Sequence, residues 1–169
     1  IQDLDKFERF VRLCAGRIGQ LVNLSNLANE TGVTQPTADA WLSALKASYV
    51  VFTLQPHFKN FNRRIVKTPK LYFYEIGLVT YLLGITNSDQ LQRDPLRGGL
   101  FENLVINELV KKHYNSGMDA NVFFFRDKHG NEIDLLLPRG NKLIPVEIKS
   151  SQTYHKEFNK SINYIKKIY

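Results

Sequence analysis

Apolar residues recur at helical spacing through the first part of the chain. Leu4, Phe7, Val11 and Cys14 fall three or four apart, which predicts an amphipathic helix over Asp3 to Ala15. A second, short helix is expected from Ser25, a suitable N-cap, to Glu30. Gly32-Val33-Thr34 then predicts a tight turn, with Gly32 suited to a left-handed C-terminal cap and Thr34 suited to cap the following helix. Pro36 fits the first turn of that third helix, where its missing donor costs nothing. The stripe Ala40, Trp41, Ala44 and Leu45 would bury it against the first two helices, and Tyr49 to Leu54 with Arg64 to Val66 can form a hairpin. Three helices followed by a hairpin make the pattern of a winged helix-turn-helix.

Beyond residue 70 the pattern changes. Leu71 to Tyr74 reads as a strand and Gly77 to Gly84 as a short helix, with Val79, Leu82 and Leu83 turned inward. Asn87 to Gly99 is polar and contains Pro and Gly, so it reads as a connection. The helix that follows places Glu102, Val105, Ile106 and Leu109 on one face, with Glu108 as a rival acid on the same helix. Strands are expected over Asn121 to Arg126, Glu132 to Leu137 and Leu143 to Ser150. A hairpin turn at Asp127 to Asn131 joins the first two, where Gly130 can take positive φ and Asp127 can bond its own backbone. Phe158, Ile162, Ile165 and Tyr169 then mark a last amphipathic helix. We place a boundary near Thr68-Pro69, which divides the chain into a winged helix-turn-helix domain, residues 1–68, and an α/β domain, residues 69–169. The overall class is α/β (α+β).

Candidate chemistry gathers on the last two strands. Residues two apart on a strand project the same way, so Glu147 and Lys149 are expected together while Ile144, Val146 and Ile148 face inward. Asp134 sits likewise opposite the row Ile133, Leu135 and Leu137. Carboxylates and an ammonium on one polar face form a cradle for a hard divalent cation and a phosphate. The same alternation also describes any half-solvated strand, in which Glu147 and Lys149 would be a surface pair worth little.

The order of elements, from the Glu102 helix through three strands to a helix, resembles the PD-(D/E)XK nuclease-like core. In that superfamily a helix acid, a strand Asp and a Glu-x-Lys pair build the site. The resemblance therefore implies Glu102, Asp134, Glu147 and Lys149 as the catalytic set, with Asp134, Glu147 and Glu102 holding Mg²⁺ or Mn²⁺. Ile133 stands where the family name has proline, which removes no ligand. The implied fold is a three-layer domain with a mixed sheet, truncated here at its C-terminus. A second resemblance covers nearly the whole chain. Gly19-Gln20-Leu21-Val22-Asn23, Lys67-Thr68-Pro69-Lys70-Leu71-Tyr72-Phe73 and Glu132-Ile133-Asp134 look like the C-terminal region of a prokaryotic family of AAA+ ATPases ending in a domain of unknown function. Glu75 stands where that family usually has Asp. This second resemblance implies an upstream AAA+ domain, and ATP bound only there.

Composition narrows the partners. With 43% hydrophobic residues and 12% aromatics, the chain of 169 residues can fill packed cores. Because it begins at Ile1 and stops inside a helical pattern, it reads as an excised fragment. The net charge is +7, and residues 1–70 carry ten Lys or Arg against five acids, so the surplus is N-terminal and favours phosphate backbones. Gln35, Thr37, Ser43 and Lys46 on the third helix are candidates to approach nucleic acid, although this helix is poor in base-reading side chains. Lys59, Arg63, Arg64, Lys67 and Lys70, interleaved with Phe58 and Phe61, form the more strongly charged wing; a solvated hairpin with packed aromatics is the competing reading.

Several classes are excluded or disfavoured. There is no phosphate-binding Gly-x-x-x-x-Gly-Lys loop, so any ATPase lies outside this chain, and His57, His113, His129 and His155 are too isolated for a zinc site. Lone Cys14 suits a reducing cytoplasm and a core position, and no apolar run approaches the roughly 20 residues that span a bilayer, so no membrane partner is expected. The expected function is a DNA-interacting module of an AAA+ protein with a nuclease-like metal site for phosphodiester hydrolysis. The alternative is a non-catalytic platform that docks a protein or DNA for the upstream ATPase; a third reading is a DNA-binding regulator that uses the wing.

Overall fold

A computed structural model describes residues 3–57, 66–151 and 153–168. Helix α1 spans Leu4–Ala15 and starts where the Asp3 side chain accepts from the Lys6 amide at 3.0 Å. Helix α2, Leu24–Thr31, begins earlier than Ser25 would have set it, because Asn23 is the cap and its side-chain oxygen accepts from the Asn26 amide. Gly32 adopts φ 75°, the left-handed cap expected of it, and Thr34 caps α3, Gln35–Ala47. The buried face of α3 is Ala38, Trp41, Leu42 and Leu45, whereas Ala40 and Ala44 are exposed. Area decides the rotation: Trp41 and the two leucines remove far more apolar surface from water than alanines can, at about 1.5–3 kcal/mol for each large side chain. Trp41 meets the rings of Phe7 and Phe10 edge-on at 5.4 and 5.6 Å.

Strand β1, Val51–Pro56, leaves α3 and finds a different partner from the one the local pattern suggested. It pairs antiparallel with β2, Lys70–Phe73, in the register Val51 to Phe73 and Leu54 to Lys70. The hairpin expected with Arg64 to Val66 is not its ladder; Arg64 and Ile65 lie outside the described residues, and the Val66 amide donates to the Arg126 carbonyl at 3.0 Å. On its other edge β1 runs parallel to β3, Phe123–Arg126, which is followed antiparallel by β4, Glu132–Arg139, and β5, Lys142–Val146. The order is β2-β1-β3-β4-β5, a five-stranded mixed sheet. The sheet thus crosses the boundary expected near Thr68-Pro69. Asp127 and Gly130 shape the β3–β4 turn as expected, with the Asp127 carboxylate accepting from the His129 and Asn131 amides and Gly130 at φ 83°.

Helices cover both faces of the sheet. Every residue of β2 is buried, since Leu71 and Phe73 face the α1–α3 cluster while Tyr72 faces the other side. Helix α4, Ile76–Leu82, is capped by the Glu75 side chain. The connection expected over Asn87 to Gly99 contains a short helix, α5, Ser88–Arg93, capped by Asn87. Helix α6, Arg97–Asn115, packs Ile106 and Val110 against Phe52, Leu54, Tyr72 and Leu135. Two buried asparagines on α6 finish the edge strand. Asn103 exchanges both hydrogen bonds with the Phe73 backbone at 2.8 Å and Asn107 donates to the Tyr74 carbonyl, while the backbone of Gly19 to Val22 bonds the rest of that edge, with Leu21 bridged to Lys70. On the opposite face α7, Asn159–Ile168, follows a single 3₁₀ turn and packs Ile165 against Phe125, Ile133 and Leu136.

Candidate functional site

The β3–β4 ladder slips where the chemistry lies. Phe123 pairs with Leu136 and Phe125 with Ile133, so β4 carries one residue more than β3 across Asp134 and Leu135. The slip divides the row Ile133, Leu135 and Leu137: Ile133 packs beneath α7, whereas Leu135 and Leu137 pack beneath α6. Strand β5 also ends at Val146, earlier than the expected Ser150. Past it, the Ile148 amide donates to Asp134 Oδ2 at 2.8 Å, so a side chain replaces the neighbouring backbone as acceptor. Ile148 is buried as expected, but Ile144 is exposed.

Asp134, Glu147 and Lys149 come together. The Lys149 ammonium donates to Asp134 Oδ2 at 3.0 Å and to Glu147 Oε2 at 2.8 Å. Both carboxylates are largely buried, while the Lys149 side chain is 40% exposed. Glu147 Oε1 is buried and, among the described residues, accepts no hydrogen bond. Burial pushes the Glu147 carboxyl above its usual range, and nearby Asp134 adds to this against the pull of Lys149. Burial would lower Lys149, but the two carboxylates outweigh it and hold the ammonium charged.

Glu102 belongs to a second centre. Lys70 and Tyr72 are two apart on β2 and project toward α6, where both reach Glu102 Oε1, the ammonium at 3.0 Å and the phenol hydroxyl at 2.5 Å. Lys70 also pairs with Glu132 at 2.5 Å, Arg126 holds the other Glu132 oxygen at 3.1 Å, and the Phe124 ring lies 5.5 Å from the Lys70 nitrogen. Lys70, expected as a solvated wing cation, has a side chain only 2% exposed. Desolvation opposes its charge, yet Glu102 and Glu132 raise its pKa overall. Burial raises the Glu102 carboxyl, with Asp134 adding to the rise against Lys70 and Tyr72, so the two centres lie within electrostatic reach of each other. Glu108, the rival acid, is 64% exposed and pairs with Lys111. Among the described residues, no three carboxylates, imidazoles or thiols gather as a metal cluster. Asp134 and Glu147 fit a hard cation as oxygen donors, one of them with an orphaned oxygen, whereas Glu102 is turned to Lys70 and Tyr72.

Lys70 and Tyr72 are participants that the sequence pattern did not assign to the site, and Glu132, whose part the sequence left open, joins them through Lys70. A signal existed: Gly19, Lys70, Tyr72 and Glu132 all lie in the segments that carried the family resemblance. Lys70, Tyr72 and Gly19 lie against Glu102, Gly19 at φ 70° with its α-carbon side facing the carboxylate, and Glu132 joins through Lys70. On α3, Gln35, Ser43 and Lys46 are exposed, while Thr37 is half-buried and bonded to the Thr34 hydroxyl at 2.9 Å. Lys67 is exposed; Lys59, Arg63 and Arg64 lie outside the described residues. Cys14 is a core residue whose thiol is pushed by burial up to about 12.

Fold and site together define an α/β protein with a five-stranded mixed sheet and two lysine–carboxylate centres, one buried and one open. The chain belongs to the family described as Domain of unknown function (DUF8612), matched over residues 1–89, and residues 97–169 match Domain of unknown function (DUF4143). The two matches leave residues 90–96 between them. It is 32% identical over 135 residues to uncharacterized proteins of Mycobacterium tuberculosis (strain ATCC 25618 / H37Rv) and Mycobacterium bovis (strain ATCC BAA-935 / AF2122/97). The alignment takes in 80% of this chain and 30% of each relative, so the chain spans under a third of the curated relatives it matches. No solved structure matches it. Among the described residues no helix is long and apolar enough to cross a membrane.

Proposed function

We propose that this chain is a nucleic-acid-interacting module of an AAA+ ATPase-family protein, with a nuclease-like metal site for phosphodiester hydrolysis at Asp134, Glu147 and Lys149. The observation that carries the reading is Glu147, which gives one oxygen to Lys149 and keeps the other buried without a partner beside Asp134. A buried acceptor left unpaired costs about 1–3 kcal/mol, and a hard cation satisfies it while neutralising two adjacent carboxylates. Bound there, Mg²⁺ or Mn²⁺ would polarise the phosphodiester and activate water. Asp134 and Glu147 would hold the ion and Lys149 would steady charge on the phosphoryl oxygens, while Glu102, expected to assist, is held by Lys70 and Tyr72 in the neighbouring centre.

Further support comes from the N-terminal part. The Gly32 turn between α2 and α3 suits a helix-turn-helix that presents Gln35, Thr37 and Lys46, with Lys67, Lys59, Arg63 and Arg64 adding charge toward a DNA backbone. ATP would bind only in an upstream domain, for which the greater length of the relatives leaves room, in a cytoplasmic protein. The test is cleavage of supercoiled and branched DNA with Mn²⁺. Asp134→Ala and Glu147→Ala are each expected to slow it on the order of a hundredfold or more, that is by about 2.7 kcal/mol. Unchanged cleavage by both variants would overturn the assignment.

One observation favours a second reading. Lys70 already neutralises Glu102 and Glu132, as a cation would, and the acids therefore do not converge on one ion. In that case the fold is a docking platform for a protein or DNA serving the ATPase. Calorimetry with Mg²⁺ and Mn²⁺ separates the two: binding heat that disappears in Asp134→Asn excludes the platform, and absence of heat excludes the metal site.

A further inference from the structure

Beside Lys149 the surface opens into a pocket of 390 Å³. Its floor is apolar, from Ile76 on α4, Leu91 on α5 and Phe101 and Leu104 on α6; its rim carries Arg97 and Lys149. None of the residues lining it is acidic. Phe101 and Leu104 are 40% and 43% exposed, although α6 has a fully buried side on which both would be covered. Large apolar side chains left in water around a concavity mark a binding site more often than a fold requirement. The Arg97 guanidinium is fixed at the rim by donating to the Ser150 carbonyl at 2.9 Å. Lys149, on the same rim, is the ammonium that bridges Asp134 and Glu147.

We infer that this pocket receives an unpaired nucleobase from the strand whose phosphate reaches the Asp134, Glu147 and Lys149 centre, so the ligand class is single-stranded or locally unwound nucleic acid. The inference rests on the proposed site and names its substrate. The volume suits a flat heterocycle with part of its sugar, since small-molecule pockets start near 300 Å³. Phe101 offers an aromatic face for stacking, which tolerates any base, and Arg97 on the rim meets a flanking phosphate. A base inside a duplex is stacked on both faces and cannot enter such a pocket without leaving the helix. Charge complementarity selects this occupant over an apolar peptide, because Arg97 meets no carboxylate among the described residues and no residue lining the pocket is acidic, which leaves its guanidinium to a phosphate.

The experiment measures anisotropy of a fluorescein-labelled single-stranded oligonucleotide and of its duplex, with the whole chain in EDTA so that no cleavage occurs. Tighter binding of the single strand is expected, together with a loss on the order of tenfold in Phe101→Ala, retention in Phe101→Trp, and little change in duplex affinity. Should Phe101→Ala lose its fold by circular dichroism, Leu104→Glu, at an exposed position, carries the same expectation. Equal affinity for the two forms, an unaltered single-strand affinity in the folded variants, or no oligonucleotide binding at all would overturn the inference. Failure of the metal site is distinguishable: Phe101-dependent single-strand binding without cleavage keeps the pocket and removes the hydrolysis. Cleavage of duplex DNA indifferent to Phe101 does the reverse.

Discussion

Lys70 and Lys149 each bridge a pair of carboxylates, Glu102 with Glu132 in one case and Asp134 with Glu147 in the other. They differ in access to water. Lys70 is sealed between β2, α6 and β4 with its acids, Tyr72 and the Phe124 ring, whereas Lys149 keeps much of its length in solvent beside an open pocket. The same ionic motif can therefore serve two ends. A sealed pair fixes geometry, because neither charge can find another partner without unfolding; an open pair can be exchanged, because water, a cation or a phosphate can replace the ammonium.

That contrast can be broken from its strong side first. Lys70→Met leaves the largely buried Glu102 without its cation and Glu132 with Arg126 alone, and a destabilisation of about 3–5 kcal/mol is expected in urea unfolding. Lys149→Met also strips a cation from two largely buried acids, Asp134 and Glu147, but should destabilise less than Lys70→Met because the ammonium it removes is itself 40% exposed. The same variant should slow metal-dependent cleavage on the order of a hundredfold, about 2.7 kcal/mol. If the two variants destabilise equally, the division into sealed and open centres fails.

A smaller effect tests the wall of the buried centre. Gly19 stands against Glu102 at φ 70°, so Gly19→Ala is strained by the backbone rather than by lack of room; about 1–2 kcal/mol of stability should be lost, read from the same unfolding curves. Smallest over the accessible range is the alkaline response. Lys70 has a folded-state pKa above 10.5, so its contribution is complete below pH 10.5 and is lost as pH rises through the higher folded value. Wild-type stability should fall in that range more steeply than that of Lys70→Met, and parallel curves would show that Lys70 is not the group responsible.

Much of the fold was legible where structure is decided within a few residues. The Gly32 and Thr34 caps and the Asp127-to-Gly130 turn form as their side chains dictate, since donor and acceptor lie within four positions. The pairing of Asp134 with Glu147 and Lys149 was also readable, although the strand that was to align them ends early and the Asp134 side chain takes up the Ile148 amide instead. The partner of β1 was not readable. Arg64 to Val66 and Lys70 to Phe73 both suit a strand after β1 in sequence; β1 pairs with the latter, whose Leu71 and Phe73 pack on one face and Tyr72 on the other, while Arg64 and Ile65 lie outside the described residues. Lys70 was misplaced for a related reason: a lysine following Lys67 in a basic stretch is indistinguishable locally from a solvated one.

By themselves the amino acids determined most of the helices, the Gly32 and Thr34 caps, the Asp127-to-Gly130 turn, the basic character of the first seventy residues and the residue types offered for chemistry, because each is set by covalent neighbours or by composition. Tertiary structure alone decided which strand closes the edge, which lysine loses its water and which acid it holds. Those outcomes depend on groups some thirty to sixty positions apart, Lys70 with Glu102 and Glu132. Desolvation fixes the strength of a charge, and desolvation exists only once the chain has packed.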